Sequence, residues 1–109
     1  MSQKKEFLCI VPDKPGALQK RLEIRPTHLA NLKPLIENGT IVAGGAMFND
    51  RHPVEGETPA FKGSMAIYQA ESIEEVRNLL SQDVYAKEGV WDLDATTIVP
   101  FKSAVRQPL

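Results

Sequence analysis

Hydrophobic and polar positions alternate along this chain in short blocks, and the period changes from block to block. Residues 6–11 carry Phe7, Leu8, Cys9, Ile10 and Val11 and are closed by Pro12, Asp13, Pro15 and Gly16. An unbroken apolar run of this length predicts a strand covered on both faces. From residue 17 to residue 37, Leu18, Leu22, Leu29, Leu32 and Ile36 recur at helical spacing, with Asn38 and Gly39 as the stop. Pro26 and Pro34 interrupt that pattern, and each removes a backbone donor. The expectation is a short helix, a break at Pro26, and a longer helix bent at Pro34.

Residues 40–47 predict a second strand, in which Gly44 and Gly45 permit a bulge or a close backbone approach. A polar stretch, 49–62, contains Pro53, Gly56 and Pro59 and predicts a long loop. A third strand covers 64–70. Ser72 and Glu75 then form a capping-box pattern ahead of Ile73, Val76, Leu79 and Leu80, a helix ending near Gln82 and Asp83. After a turn at 87–89, Trp91, Leu93 and Ala95 alternate with Asp92, Asp94 and Thr96. That alternation predicts a last strand over 90–101 with both aspartates on its solvated side. The tail from Ser103 is expected to be loosely held.

The order β-α-β-β-α-β predicts an α+β, ferredoxin-like sheet with two helices on one face, as a single domain over residues 1–109. The other face must be covered. With only 109 residues the chain builds a limited core, so a second copy of itself, a homodimer through the sheet face, is the economical cover. Thirteen basic residues against fourteen acidic ones give a net charge of −1, which supplies no field for a nucleic acid. No apolar run is long enough for a membrane span or a signal peptide, which leaves the cytoplasm as the default compartment. The one cysteine, Cys9, allows no internal disulfide and reads as a buried, inert thiol.

Candidate chemistry is sparse. His28, His52 and Cys9 fall at unrelated positions and make no zinc site; no Gly-rich phosphate loop and no nucleophile elbow occur. Neither a metal nor a cofactor is expected. His52 reads as a solvated loop residue, and Tyr85 and Trp91 as core or interface aromatics that could also wall a pocket.

The stretch from Lys20 to Leu29, with Arg25, then His28 and Leu29, resembles the helix motif of the YciI-like (YCII-related) family. Gly39, Gly44 with Gly45, Gly63 with Ser64, Asp83 with Val84 and Tyr85, and Pro100 with Phe101 and Lys102 follow in the family's order, so the resemblance runs over residues 7–102. It implies a dimeric α/β barrel made of two ferredoxin-like sheets packed face to face. It also implies a His–Asp pair, carried here by His28 and Asp83, with Arg25 as the motif arginine and Ser64 as the motif serine. The family has proline where this chain has Val84, which bears on how Asp83 is aimed.

These residue types suit acid–base chemistry. A histidine can take and return a proton near neutral pH, and a carboxylate on its other ring nitrogen fixes the tautomer. Arg25 could clamp a carboxylate or enolate, Ser64 could donate to a bound oxygen, and a helical turn starting at Pro26 would bring free amides near His28. The leading expectation is a cofactor-independent enzyme moving a proton during isomerisation, elimination or dehalogenation of a small, cyclic or aromatic-derived organic acid. The alternative is a non-catalytic, small-ligand-binding or stress-associated dimeric module, and a third reading is a pure assembly partner. On plain structural grounds His28 would cap or pack on its helix, Asp83 would end one, Arg25 would be a surface charge and Ser64 a strand-start residue.

Overall fold

The computed structural model describes residues 4–107. Strand β1 (Lys5–Pro12) is followed by α1 (Leu18–Glu37), β2 (Ile41–Phe48), β3 (Phe61–Ala70), α2 (Ile73–Gln82), the one-turn α3 (Val84–Lys87), a 3-10 turn (Leu93–Ala95) and β4 (Thr97–Phe101). The strands form one antiparallel sheet in the order β2-β3-β1-β4. This is the α+β, ferredoxin-like arrangement.

Strand periodicity divides β1 between the two faces of the sheet. Phe7, Cys9 and Val11 are fully covered by the helices and join Tyr68, Ala70, Val76, Leu80, Tyr85, Val90 and Trp91 in the core. The alternate residues Leu8 and Ile10 point the other way. Leu8 lies between Ile67 and Val99, Ile10 between Met65 and Thr97, and Glu6 between Gln69 and Phe101. This second face is largely apolar and bare: Ile10, Val99 and Phe101 are among the exposed large hydrophobic residues. Gly63 sits where β3 crosses β1, and a methyl there would run into the Val11 carbonyl, so only glycine fits.

Helix α2 starts as its sequence pattern predicts. The Ser72 hydroxyl accepts from the Glu75 amide at 3.1 Å, while the Glu75 carboxylate reaches back to the Glu71 amide at 3.2 Å. Val76 and Leu80 then bury completely against the sheet.

Helix α1 departs from expectation twice. It is one continuous helix of 20 residues, without a break at Pro26. Pro26 and Pro34 are both exposed, and the carbonyls they leave without a donor belong to Leu22 and Ala30, also exposed. Water can satisfy those groups, so the helix survives. Because α1 begins at Leu18, no free turn of amides lies beside His28. The buried stripe also differs. Leu18, Leu22, Leu29 and Ile36 are 40–55% exposed, while Arg21, Ile24, His28, Leu32 and Leu35 face inward. Two of the five inward positions are therefore charged or titratable groups.

The last strand is shorter than its alternation suggested. Trp91 makes an isolated antiparallel bridge to Asp13, and Asp92 caps the 3-10 turn by accepting from the Ala95 amide at 3.3 Å. Asp92 and Asp94 thus belong to a turn, and only Thr97–Phe101 pairs with β1. Gly44 and Gly45 pair in register with Ala66 and Met65; the irregularities in β2 fall at Ile41/Ala43 and Met47/Phe48. The start of the tail is held. Glu6 accepts from the Ser103 amide and hydroxyl, at 2.6 and 2.7 Å, and from Arg106 at 2.8 Å.

Candidate active site

The inward polar residues of α1 meet the rest of the site at one end of a wedge between α1 and strands β2 and β3. A cavity of about 340 Å³ opens there. Leu29, Leu32 and Ile36 of α1 form one apolar wall, and Ile41, Gly44 and Ala66 of the sheet form the other. Arg21, His28, Ser64, Tyr85 and Trp91 close the polar end, and Arg25 stands at the exposed edge.

His28 Nδ1 lies 2.8 Å from Asp83 Oδ1. The same oxygen accepts the Tyr85 amide at 2.9 Å, because Asp83 is the N-cap of α3. A carboxylate has no hydrogen to give, so Nδ1 is the donor, which assigns the tautomer: Nδ1 carries hydrogen and Nε2 is the free nitrogen. Nε2 has no partner among the described residues. The imidazole is held flat by Tyr85, stacked at 3.9 Å between centroids and 13° between planes, and edge-on by Trp91 at 5.8 Å. Burial pushes the Tyr85 phenol above its ordinary range, opposed by Arg21 and Arg25, so it stays protonated.

Asp83 is aimed without proline. It takes an extended backbone conformation, with φ −68° and ψ 141°, while closing α2 and opening α3. That is the conformation a following proline would impose, and Val84 permits it.

Ser64, in the first half of β3, is joined to Trp91 and to Arg21, which sequence reasoning missed. Its hydroxyl oxygen accepts from Arg21 Nη2 at 3.0 Å and from the Trp91 indole at 3.2 Å. Arg21 Nη1 donates to both oxygens of Asp13, at 2.6 and 2.8 Å, and the guanidinium lies over the rings of Phe61 and Tyr85 at 4.5 and 5.0 Å. Burial raises the Asp13 carboxyl above its usual range, and Arg21 offsets part of that. Arg25 has no ion pair or hydrogen bond among the described residues. The signal for Arg21 was present in the chain: it precedes His28 by seven residues, two turns along the same stripe as Ile24 and Leu35.

The remaining candidates lie away from this cluster. His52 is exposed in the loop, tilted against Phe48 at 5.9 Å. Cys9 is buried and its thiol is pushed up to about 11 by desolvation. No group of three metal-ligating side chains occurs among the described residues, and no helix among them is long and apolar enough to cross a membrane.

The family model of the YCII-related domain matches residues 6–102, nearly the whole chain. The chain belongs to the YCII-related domain family. Among curated proteins, this YCII-related domain is 37% identical over 102 residues to fusaric acid biosynthesis protein 2 of Gibberella moniliformis, covering 94% of this chain and 97% of the relative. It is 32% identical to the protein YciI of Escherichia coli, covering 88% of this chain and 95% of that one. Among solved structures it resembles the 5-chloro-2-hydroxyhydroquinone dehydrochlorinase of Burkholderia phenoliruptrix, in complex with 2,5-dihydroxybenzoquinone. The TM-score is 0.73 at 32% identity, over 89% of this chain and 93% of that one.

Proposed function

We propose that this protein is a cofactor-independent enzyme in which His28, oriented by Asp83, moves a proton on a small, planar, aromatic-derived organic acid. The observation that carries the reading is the 2.8 Å contact between His28 Nδ1 and Asp83, which leaves Nε2 unpartnered on a ring that lines the cavity. Arg25, a cation at the edge whose side chain has no ion pair among the described residues, would take the carboxylate or enolate, and Ser64 the oxygen that gains charge. The similar dehydrochlorinase and a relative named for fusaric acid biosynthesis support a role in small-molecule chemistry.

The chemistry needs little equipment. Eliminating HCl from a chlorinated hydroxyhydroquinone requires a proton placed on the carbon that bears chlorine and two removed from ring hydroxyls, which become the carbonyls of a hydroxyquinone. Chloride leaves with the C–Cl electron pair. No oxidant or reductant enters, so one acid–base side chain with an orienting carboxylate suffices. A single proton moved from a hydroxyl to the ring carbon, without chloride loss, would be an isomerisation.

We further propose that the sheet face carrying Leu8 and the exposed Ile10, Val99 and Phe101 is covered by a second copy, giving a homodimer. A cytoplasmic location fits the single buried thiol, which needs no oxidising compartment.

The test uses 5-chloro-2-hydroxyhydroquinone as substrate, with chloride release as the readout. His28→Gln should abolish turnover, and Asp83→Asn should cut kcat roughly 10²–10⁴-fold while leaving probe binding largely intact. Turnover unchanged in both variants would overturn the dyad. Binding without turnover by the unaltered protein would make the cavity that of a ligand-binding module.

A further inference from the structure

We infer that Ser64 is a committed hydrogen-bond donor into the cavity, with Arg21 and Trp91 as the positioning residues that make it so. A serine hydroxyl has two accepting lone pairs and one hydrogen. Arg21 Nη2 and Trp91 Nε1 can only donate, and they reach Ser64 Oγ at 3.0 and 3.2 Å. Both lone pairs are therefore used. The hydroxyl hydrogen is left with the remaining tetrahedral direction, and no acceptor for it exists among the described residues. Ser64 is 8% exposed, and the surface it does expose belongs to the cavity wall.

The two donors cannot easily turn away. Arg21 is 4% exposed, tied by Nη1 to both Asp13 oxygens and held between Phe61 and Tyr85. Trp91 is fixed by its backbone: Lys14 donates to the Val90 carbonyl at 2.7 Å and Asp92 to the Pro12 carbonyl at 2.8 Å, on either side of it. A hydroxyl that accepts from a guanidinium is also polarised toward stronger donation.

This deepens the proposed function, on which it rests for what occupies the cavity; the direction of the hydroxyl does not depend on it. The corner at Ser64 selects an accepting, electron-rich oxygen: a phenolate, an enolate or a quinone carbonyl. A ligand that presents a donor there finds both lone pairs taken and its own hydrogen unmatched. The discrimination is thus set by Arg21 and Trp91, neither of which needs to touch the ligand.

Two measurements decide it. Neutron diffraction from hydrogen/deuterium-exchanged crystals should show the Ser64 deuteron directed into the cavity; a deuteron directed at a protein acceptor such as the Gly63 carbonyl overturns the inference. Calorimetry and difference infrared spectroscopy then follow 2,5-dihydroxybenzoquinone as the probe. Ser64→Ala should weaken its binding roughly ten- to a hundredfold and return a downshifted carbonyl stretch toward its free value. Ser64→Thr should restore both, and Trp91→Phe should relax the stretch in part, because one lone pair becomes free and the hydroxyl can rotate. Equal affinity and an unmoved carbonyl band in Ser64→Ala would sink the donor role. If the unaltered protein fails to bind the probe, the ligand class of the proposed function fails, while the neutron result still decides the direction of the hydroxyl.

Discussion

Replacing Asp13 with alanine isolates the energetics of the ion pair that backs the cavity. Arg21 is 4% exposed, and the Asp13 side chain is 8% exposed. Asp13→Ala would strip both Nη1 hydrogen bonds and leave a buried cation with only Ser64, the Gly63 carbonyl and two aromatic faces. Removing one partner of a buried pair costs about 3–5 kcal/mol. The contacts that remain put this case near the lower end, about 3 kcal/mol. For a domain of this size that corresponds to a fall in Tm of roughly 10–20 °C. Urea unfolding at a fixed protein concentration, with Cm shifted and m unchanged, is the measurement. The double variant Asp13→Leu with Arg21→Met supplies the control. Burial is the main force raising the Asp13 carboxyl, so the charged pair itself is costly to desolvate. The apolar pair should therefore recover most of the lost stability. A cost below about 1 kcal/mol for Asp13→Ala, the value for an exposed ion pair, would refute the account of a dry, over-determined network.

Three further outcomes are expected. Val84→Pro should stabilise by about 0.4–1 kcal/mol in the same urea assay, since Val84 opens α3 and Asp83 already has the backbone conformation that precedes proline. Cys9 should resist a thiol-directed reagent at pH 8 until the protein unfolds: raising its pKa from 9.0 to about 11 cuts the thiolate about a hundredfold, and burial adds to this. The Ser103 hydrogen bonds hold the Glu6 carboxyl below its ordinary value of 4.5, so its grip on the tail is complete above that pH and is lost as the pH falls through the lowered value. The protection of the Ser103 amide, its exchange relative to the intrinsic rate at each pH, should fall over that acidic range and stay level there in Glu6→Gln.

Much of this architecture is legible in the chain because local and tertiary preferences agree. The apolar run of β1, the capping residues Ser72 and Glu75, and the stop at Gly39 each serve the element in which they occur. The misreadings share a cause. On α1 the inward stripe contains Arg21 and His28, so a search for leucines finds the outer face and the cavity wall instead. Pro26 and Pro34 signal a break only if the freed carbonyls are buried, and exposure is a tertiary property. Asp92 mimics strand alternation while capping a turn. The four candidate residues chosen from the motifs do gather at one cavity or against it, with Asp83 behind His28 and Arg25 at the edge. Arg21 and Asp13 escaped because their pairing spans the loop between β1 and α1, and their link to Ser64 crosses to β3.

Asp83 ends one helix through its backbone amide, and through one short side chain it begins another and holds the imidazole of a third. The Tyr85 amide and the His28 ring compete for the electron density of a single oxygen. Any event that strengthens one bond must loosen the other, and by thermodynamic reciprocity the reverse holds. The Tyr85 amide proton is thus a built-in reporter. Its NMR shift and exchange rate should follow the charge on His28 as a ligand arrives, which allows proton movement at the site to be watched from the backbone.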